Sequence, residues 1–449
     1  MMKELRDFQD KVVNKVCKSK EDILISAPTG CGKTFIAEMI MNELSKQNED
    51  LNFIFVVPRI ILIQQFLEEL TAFKESDFDI IQAENTKLSG KRFIIASKDS
   101  LDNYIEKLPD NLIMFIDEVH EGLKQSFKLV QKIKPVRLFG LTATPERSDG
   151  LSFMKGIDLE NEEKLHIYGL FDNYINAINI KEAQYLGYLS QLKYITRNDL
   201  ETLDIKSKGI DEFTEEEVTE LFDKYNIWGD LVKTYKKYGK NKDGSFKPAL
   251  GFTNTIKMAE KVAKLFNDAG FNFKVISGKT PLKERFELFQ QTKQGTLNGL
   301  VNADLLTYGF NCPEISYIFS CRHIKSRTLW VQMIGRGLRP GKPELTFVDH
   351  CDSLSEFANE YYDMPFLADH FNWFYNGISS LLKRELKKEA KESQLIRKEL
   401  YKYIFNNNEN LVVINQENRN KIMLKIIKEI KKENINLRKI LGEQYVKSI

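Results

Sequence analysis

The sequence predicts an α/β protein with two tandem parallel-sheet domains, a helical insertion and a helical, basic C-terminal extension. The first observation is a series of short, wholly apolar segments that alternate with amphipathic ones, as strands buried on both faces alternate with helices. The second is that this alternation occurs twice, once before residue 150 and again after residue 245. The third is length, because 449 residues exceed what one hydrophobic core usually accommodates.

Composition sets the class of protein but not its function. The chain is 42% hydrophobic and 29% charged, with a net charge of only +2, as in ordinary globular proteins. Residues 380–449 contain 17 Lys and Arg against 9 Asp and Glu, which makes the C-terminal extension basic. The five scattered cysteines have no zinc spacing and indicate a reducing compartment. Without a signal-peptide pattern or an apolar run of roughly 18 residues, we expect a cytoplasmic protein with no membrane partner.

The first alternating set opens with Ser-Ala-Pro-Thr-Gly-Cys-Gly-Lys-Thr at residues 26–34, between a predicted strand and a predicted helix. This is the context of a phosphate-binding loop, in which backbone amides and a helix N-terminus face the phosphate oxygens. Ala27 stands where the usual pattern has glycine. Lys33 is expected to reach the β and γ phosphates, and Thr34 to bind Mg²⁺. The predicted nucleotide contacts of this loop are Pro28, Thr29, Gly30, Cys31, Gly32, Lys33 and Thr34.

Gln9 lies on a predicted amphipathic helix ahead of the phosphate loop. A glutamine amide can pair its donor and its acceptor with the edge of adenine, so Gln9 is a candidate base reader. The alternative is an ordinary surface glutamine.

Further apolar strands are predicted at residues 52–57, 92–97, 111–116 and 136–141, and in a parallel sheet ligands gather at the carboxyl ends of strands. Asp117-Glu-Val-His120 follows one strand directly, so Asp117 is expected to hold Mg²⁺ and Glu118 to activate water. A loop or a helix cap is the alternative for this acidic pair. Thr142 and Thr144 follow the last strand, where they can link nucleotide state to a nucleic-acid track.

Between the two sets, a helix is predicted at 180–187 and a strand at 192–196. Residues 199–245 have a polar, helical pattern and are interpreted as a structural insertion. Strands at 249–253, 273–276, 296–301 and 315–319 and helices at 255–269 and 282–293 then follow. No second phosphate loop is found in this set.

Two arginines are the candidate chemistry of the second set. Gln332-Met-Ile-Gly-Arg-Gly-Leu-Arg339 is predicted as a helical turn that places Arg336 and Arg339 on one face. Planar guanidiniums suit the charge that develops on a leaving γ-phosphate. Surface salt bridges are the alternative, but Gly335 and Gly337 permit a close backbone approach and favour a site.

Taken together, these segments resemble a superfamily 2 DExH helicase over residues 5–349. The resemblance is carried, in order, by LRDFQ, APTGCGKT, VVPR, IASKDSL, DEVH, LTATP, GFTNT, ISGKTP, VNADLLTYGFNCPEI and QMIGRGLRP. LTATP and QMIGRGLRP resemble the DNA-acting branch, and ISGKTP with TFVDH is most similar to phage branch-migration helicases of the UvsW kind. The resemblance implies two RecA-like domains that use ATP and Mg²⁺.

The resemblance also implies residue roles. Gln9 would read adenine, and Arg336 and Arg339 would complete the ATP site from the second domain. Asn311 stands where the family usually has Asp, so it is not included in the site. The residues implied to face the nucleic-acid backbone are Arg59, Ser97, Thr253 and Thr307. The residues expected to couple ATP to nucleic acid are His120, Thr142, Thr144 and Gln332.

The expected function is that of an ATP-dependent DNA helicase or translocase, acting as a monomer on forked or branched DNA. Replication or recombination proteins are its expected partners, in a bacterial or phage-infected cell. Three alternatives stay open: an RNA helicase, the motor subunit of a restriction-type complex, and a nucleotide-regulated clamp that does not hydrolyse ATP. The predicted domains are 1–150, 151–350 and 351–449.

Overall fold

The computed structural model describes residues 4–83, 86, 88–145, 153, 155, 169–197, 214–303, 312–324, 327–351, 353 and 411–414. The chain forms two compact units that divide between Ala183 and Gln184. Each unit contains a seven-stranded sheet. Within the ranges just given, every helix is too short or too polar to cross a membrane.

The first unit is a parallel sheet with flanking helices. Its strands are β1 (Ile23–Ser26), β2 (Asn52–Val57), β3 (Phe78–Ile81), β4 (Phe93–Ser97), β5 (Leu112–Ile116), β6 (Arg137–Thr142) and β7 (Asn173–Asn176). Its helices are α1 (Asp7–Lys18), α2 (Lys33–Gln47), α3 (Ile61–Glu69), α4 (Lys98–Leu101) and α5 (Leu123–Ile133). The spatial order is β3-β4-β2-β5-β6-β1-β7, and every pair of neighbours is parallel.

The second unit repeats this plan, and α6 (Ile180–Tyr185) spans the division between the units. The strands are β8 (Gln191–Arg197), β9 (Ala249–Thr253), β10 (Phe273–Ser277), β11 (Gly299–Ala303), β12 (Tyr317–Ser320), β13 (Glu344–Asp349) and β14 (Leu411–Ile414). The helices are α7 (Glu215–Lys224), α8 (Ile227–Tyr238), α9 (Ile256–Asp268), α10 (Leu282–Lys293) and α11 (Arg327–Gly335). The spatial order is β10-β11-β9-β12-β13-β8-β14.

Both sheets have one topology. Numbered from one within each unit, the strand order is 3-4-2-5-6-1-7 in both. The units differ at the last strand, because β7 runs parallel to β1 whereas β14 runs antiparallel to β8. The predicted fold class, two tandem parallel-sheet α/β domains, is therefore confirmed.

The first unit extends past the boundary predicted at residue 150. β7 pairs with β1 in register from Ile23 opposite Asn173 to Ser26 opposite Asn176, so this strand belongs to the first sheet. Its polar ends and its position at the sheet edge explain why the apolar pattern did not reveal it. The described strands that the sequence did not predict are β3, β7, β13 and β14.

The segment interpreted as an insertion contributes to the core of the second unit. α7 and α8 bury Val218, Leu221, Phe222, Leu231 and Tyr235 in the same cluster as residues of β9 and α9. These five side chains are at most 1% exposed. The helices are therefore an integral layer of the domain, and the interpretation of an added insertion was wrong for residues 215–238.

Little of the predicted C-terminal extension falls within the described residues. Residues 411–414 form β14, which pairs with β8 from Leu411 opposite Arg197 to Ile414 opposite Tyr194. The extension was predicted to be helical, so the strand at residues 411–414 is a local correction. The helices predicted on either side lie outside the described residues.

Candidate active site

The phosphate loop connects β1 to α2, and its backbone requires two glycines. Gly30 and Gly32 have φ angles of 89° and 82°, in the left-handed region that favours glycine. A Cβ atom on Gly32 would lie 2.7 Å from Gln9 Nε2, so space as well as conformation excludes a side chain there. α2 begins at Lys33 immediately after this glycine, which directs the helix N-terminus toward the loop.

Gln9 holds the phosphate loop in place. Its amide is 3% exposed and donates from Nε2 to the carbonyl oxygen of Cys31 at 3.0 Å. Its Oε1 accepts a hydrogen bond from the Arg6 backbone at 3.0 Å. Both ends of the amide therefore bond to backbone, so Gln9 is not an ordinary surface glutamine. Recognition of adenine by Gln9 stays a prediction.

Lys33 lies between the phosphate loop and the acidic motif. Its side chain is 8% exposed, and Nζ lies 3.4 Å from the Ala27 carbonyl oxygen and 3.5 Å from Glu118 Oε1. The structure thus brings together two residues that are 85 positions apart in sequence. A buried ammonium held beside a carboxylate suits the binding of a phosphate group at this point.

Asp117 is suited to a metal ion. Burial and the neighbouring Glu118 carboxylate raise the pKa of Asp117 to about 7, while Lys33 and Lys98 act in the opposite direction. Its Oδ1 atom is buried and has no hydrogen-bond partner in the part of the chain that the structure describes. A carboxylate oxygen in this situation fits a cation ligand. Together with the Thr34 hydroxyl in the first turn of α2, Asp117 would hold Mg²⁺, which would neutralise phosphate charge.

Glu118 occupies a strained backbone position. Its φ angle is 41°, which side chains rarely adopt and which is typical of functional sites. Its carboxylate lies between two cationic or titratable groups, with Oε1 3.5 Å from Lys33 Nζ and Oε2 3.5 Å from His120 Nδ1. This placement supports the predicted role of Glu118 in orienting and deprotonating water.

His120, Thr142 and Thr144 form a hydrogen-bond chain. His120 Nδ1 lies 3.0 Å from the Thr142 hydroxyl, which donates to the Thr144 carbonyl oxygen at 2.9 Å. The Thr142 carbonyl oxygen accepts from Ala27 N at 3.1 Å, so the same residue also touches the phosphate loop. Three of the four residues predicted to couple the site therefore form one chain of bonds that joins the acidic motif to the phosphate loop.

The residues predicted to face nucleic acid differ from one another in exposure. Arg59 is exposed just beyond β2. The hydroxyls of Ser97 and Thr253 are buried, because Ser97 bonds to Ser100 at 2.9 Å and Thr253 bonds to the carbonyl oxygens of Thr255 and Asn302. Both hydroxyls therefore bond within the protein rather than at its surface, and their contact with nucleic acid stays a prediction. Thr307 lies outside the described residues.

The two arginines of the second unit do not share a helix face. α11 ends at Gly335, and Arg336 and Arg339 lie in the turn that follows. Arg339 is 7% exposed and Arg336 is partly buried. The turn packs tightly on the sheet, since a Cβ atom on Gly337 would lie 2.3 Å from Leu345 Cδ1. The prediction of a continued helix was wrong, and the close approach at Gly337 is to the buried side chain of Leu345, so the role of the two arginines stays a prediction.

Gln332 was predicted to couple the site, and it is 7% exposed on α11. Its role stays a prediction, because the catalytic loop and carboxylates belong to the other unit.

Lys98 is a residue of the first unit that the sequence did not indicate. It opens α4, is 2% exposed, and donates from Nζ to the Glu121 carbonyl oxygen just after the acidic motif. Burial lowers its pKa to about 8, against the attraction of Glu121, Asp117 and Glu118. The available signal was a lysine immediately after an apolar strand, which by itself is common at surfaces.

Comparison with known proteins identifies the domains. The family described as "Type III restriction enzyme, res subunit" matches residues 2–147, and "Helicase conserved C-terminal domain" matches residues 224–341. The Saccharomyces cerevisiae protein named "Putative ATP-dependent helicase IRC3" is 27% identical over 368 residues, which cover 77% of this chain and 50% of that protein. The chain spans 50% to 62% of the length of four of the curated relatives it matches.

Two solved structures show likeness of fold alone. The ATP-dependent Type ISP restriction-modification enzyme LlaBIII bound to DNA has a TM-score of 0.52 at 18% identity, over 78% of this chain and 28% of that one. A variant of Dbp5 of S. cerevisiae bound to RNA and ADP BeF3 has a TM-score of 0.53 at 15% identity, over 87% of this chain and 94% of that one. The two domain matches support an ATP-hydrolysing enzyme of the helicase type. The order of these two matches, a restriction-enzyme res-subunit domain followed by a helicase C-terminal domain, makes the chain similar to the superfamily 2 helicases.

Proposed function

We propose that this protein is an ATP-dependent DNA helicase or translocase that unwinds or branch-migrates forked and junction DNA. The observation that carries the proposal is the cluster of Lys33, Asp117 and Glu118 beside the phosphate loop. This cluster holds a cation for the γ-phosphate, a ligand for Mg²⁺ and a base for water, which a clamp that only binds ATP does not need.

In the proposed mechanism, Lys33 binds the terminal phosphates and Glu118 orients and deprotonates the attacking water. Arg336 and Arg339 of the second unit act on the same γ-phosphate when the two units close on ATP. Hydrolysis removes the group that both units contact, so closure is favoured only before hydrolysis. If each unit grips the nucleic-acid backbone, alternating closure moves the protein along one strand.

DNA is the proposed substrate for two reasons. The sequence forms LTATP and QMIGRGLRP resemble the DNA-acting branch of the superfamily, and the first domain matches a restriction-enzyme family. Contacts made mainly to phosphate would make binding tolerant of sequence and sensitive to salt. An RNA helicase is the alternative, and the RNA-bound and DNA-bound structures share the fold equally.

The test is ATP hydrolysis measured with forked, Holliday-type and simple-tailed DNA, alongside matched RNA. We expect DNA to stimulate hydrolysis more than RNA, and forked or junction DNA to be unwound. Lys33→Ala and Glu118→Gln should abolish stimulated hydrolysis while nucleic-acid binding is kept. Full turnover in either variant would refute the site, and stronger stimulation by RNA would refute the DNA assignment.

A restriction-type motor subunit is the second candidate, because the first domain matches a family named for a restriction enzyme subunit. Such a subunit would depend on partner subunits for its activity. Unwinding of forks by the purified chain alone would count against it.

A further inference from the structure

Lys98 reaches across the sheet from one motif to another. It follows β4, and its Nζ donates to the Glu121 carbonyl oxygen in the loop after β5. β4 and β5 are not neighbours, because β2 lies between them and pairs with both. The side chain therefore spans the carboxyl end of β2, and at 2% exposure it does so out of contact with water.

The Lys98 ammonium lies in an acidic environment. The acidic groups that attract it are Glu121, Asp117, Glu118 and Asp99, on its own segment and on the loop after β5. A buried charge is tolerated when it is hydrogen-bonded and when opposite charges face it, and Lys98 meets both conditions. Removal of this one cation would leave Asp117 and Glu118 with less positive charge to offset their mutual repulsion.

Two further side-chain links join the segment after β4 to α5. Gln125 Nε2 on α5 donates to Asp99 Oδ1 at 3.2 Å, and Lys132 on α5 pairs with Asp102 at 2.5 Å. Lys98 is the buried member of this set, whereas Lys132 and Asp102 are about half exposed. The segment after β4 is thus attached to both the acidic loop and the helix that follows it.

We propose that Lys98 is a positioning residue, which fixes the loop carrying Asp117 and Glu118 to the end of β4 and so holds these carboxylates in place. The proposal rests on the proposed function and on the predicted contact of Arg59 with the nucleic-acid backbone. Arg59, exposed at the end of β2, lies on the same edge of the sheet. Lys98 touches neither ATP nor water in this mechanism and acts through the acidic loop.

The test compares three variants of the full chain. Lys98→Met keeps the length of the side chain but removes its charge and its hydrogen-bond donor. Lys98→Arg keeps the positive charge and a hydrogen-bond donor. Lys132→Met is the matched control, because it breaks an exposed link from the same segment to α5 and leaves the link to the acidic loop intact. The measurements are the kcat and KM of ATP hydrolysis with saturating DNA, the Kd for DNA, and the unfolding temperature.

We expect Lys98→Met to lower DNA-stimulated kcat by about 10- to 100-fold, the range found when partners that orient site residues are removed. KM for ATP and Kd for DNA should stay within about threefold, because Lys98 affects the hydrolytic step rather than binding. Lys98→Arg should recover part of the loss, and Lys132→Met should remain within about twofold of wild type.

Two results would overturn the proposal. One is a DNA-stimulated kcat of Lys98→Met within twofold of wild type. The other is an equal fall in kcat and in both affinities, with a lowered unfolding temperature and no rescue by Lys98→Arg, which indicates a purely structural lysine. Wild-type protein that does not hydrolyse ATP would instead refute the proposed function, so the two failures are distinguishable.

Discussion

At the scale of single residues, Glu118 has both a proposed catalytic carboxylate and an unfavourable backbone conformation. A non-glycine residue in the left-handed region costs about 1–2 kcal/mol. The position persists because Val119 N donates to Leu141 O and Lys33 and His120 flank the carboxylate. The strain places the carboxylate at the edge of the sheet where the phosphate loop also lies.

Because of this strain, we expect the glycine variant at position 118 to be more stable than the alanine variant, which is the reverse of the usual order of stability. We expect Glu118→Gly to be about 1 kcal/mol more stable than Glu118→Ala, because glycine adopts positive φ without a steric penalty. The measurement is the free energy of unfolding of both variants without nucleotide. Glu43, exposed on α2, is the control site, where glycine should be about 1 kcal/mol less stable than alanine. If the glycine variant is less stable than the alanine variant by the same amount at both positions, the role of strain at Glu118 is contradicted.

In the first unit, the sequence predicted the positions of the phosphate loop and the acidic pair better than the hydrogen-bond partners of individual side chains. The strand, loop and helix around Lys33 and the acidic pair after β5 were recognisable because topology alone brings strand ends together. The burial of the Ser97 hydroxyl against Ser100 was not recognisable, since it depends on the turn into α4. Lys98 was missed because its partner is a backbone oxygen on a distant loop, and backbone partners leave no trace in side-chain patterns.

At the scale of elements, α7 and α8 show how a polar segment can be part of a core. Thr214 caps α7 by accepting from Glu217 N, and the Glu217 carboxylate bonds back to Thr214 N. This capping box fixes the start of the helix. One apolar stripe on each helix then packs on α9 and the sheet, while the remaining faces keep the acidic and basic side chains in water.

The core role of α7 predicts a large effect from a single truncation. Phe222→Ala should destabilise the second unit by about 3–5 kcal/mol, because Phe222 is fully buried and its removal leaves a cavity. Glu220→Ala on the exposed face of the same helix is the control and should change stability by less than about 0.5 kcal/mol. The measurement is denaturant unfolding. A Phe222→Ala change as small as the control would restore the interpretation of an added insertion.

Most central strands were predicted to within a few residues, whereas three of the four edge strands were missed; the exceptions are the central strand β13, which was missed, and the edge strand β10, which was predicted. β2 and β9 coincide with the predicted ranges because both are largely apolar and have neighbours on each side. β3, β7 and β14 lie at sheet edges, where one side needs no apolar partner and polar residues are accepted. The apolar pattern therefore identified most interior strands but missed the edge strand β7, which is why the predicted boundary of the first domain lies before the end of the first unit.

At the scale of the whole molecule, the chain contains one fold twice, with different chemistry on each copy. The strand order is the same in both units, yet only the first carries a phosphate loop with its acidic motif, and only the second carries Arg336 and Arg339. A single complete site on either unit would not make ATP hydrolysis depend on movement between units. We propose that division of the site between the two copies is what couples hydrolysis to motion.

The most direct test of this division is the kcat of DNA-stimulated ATP hydrolysis in Arg336→Ala and Arg339→Ala, with ATP binding measured in parallel. Arginines that act on the departing γ-phosphate are worth about 10³-fold or more in kcat, so we expect losses of that size in Arg336→Ala with the Kd for ATP changed by less than about threefold. A kcat that stays within threefold of wild type in both variants would show that the first unit hydrolyses ATP without the second, and would contradict the account.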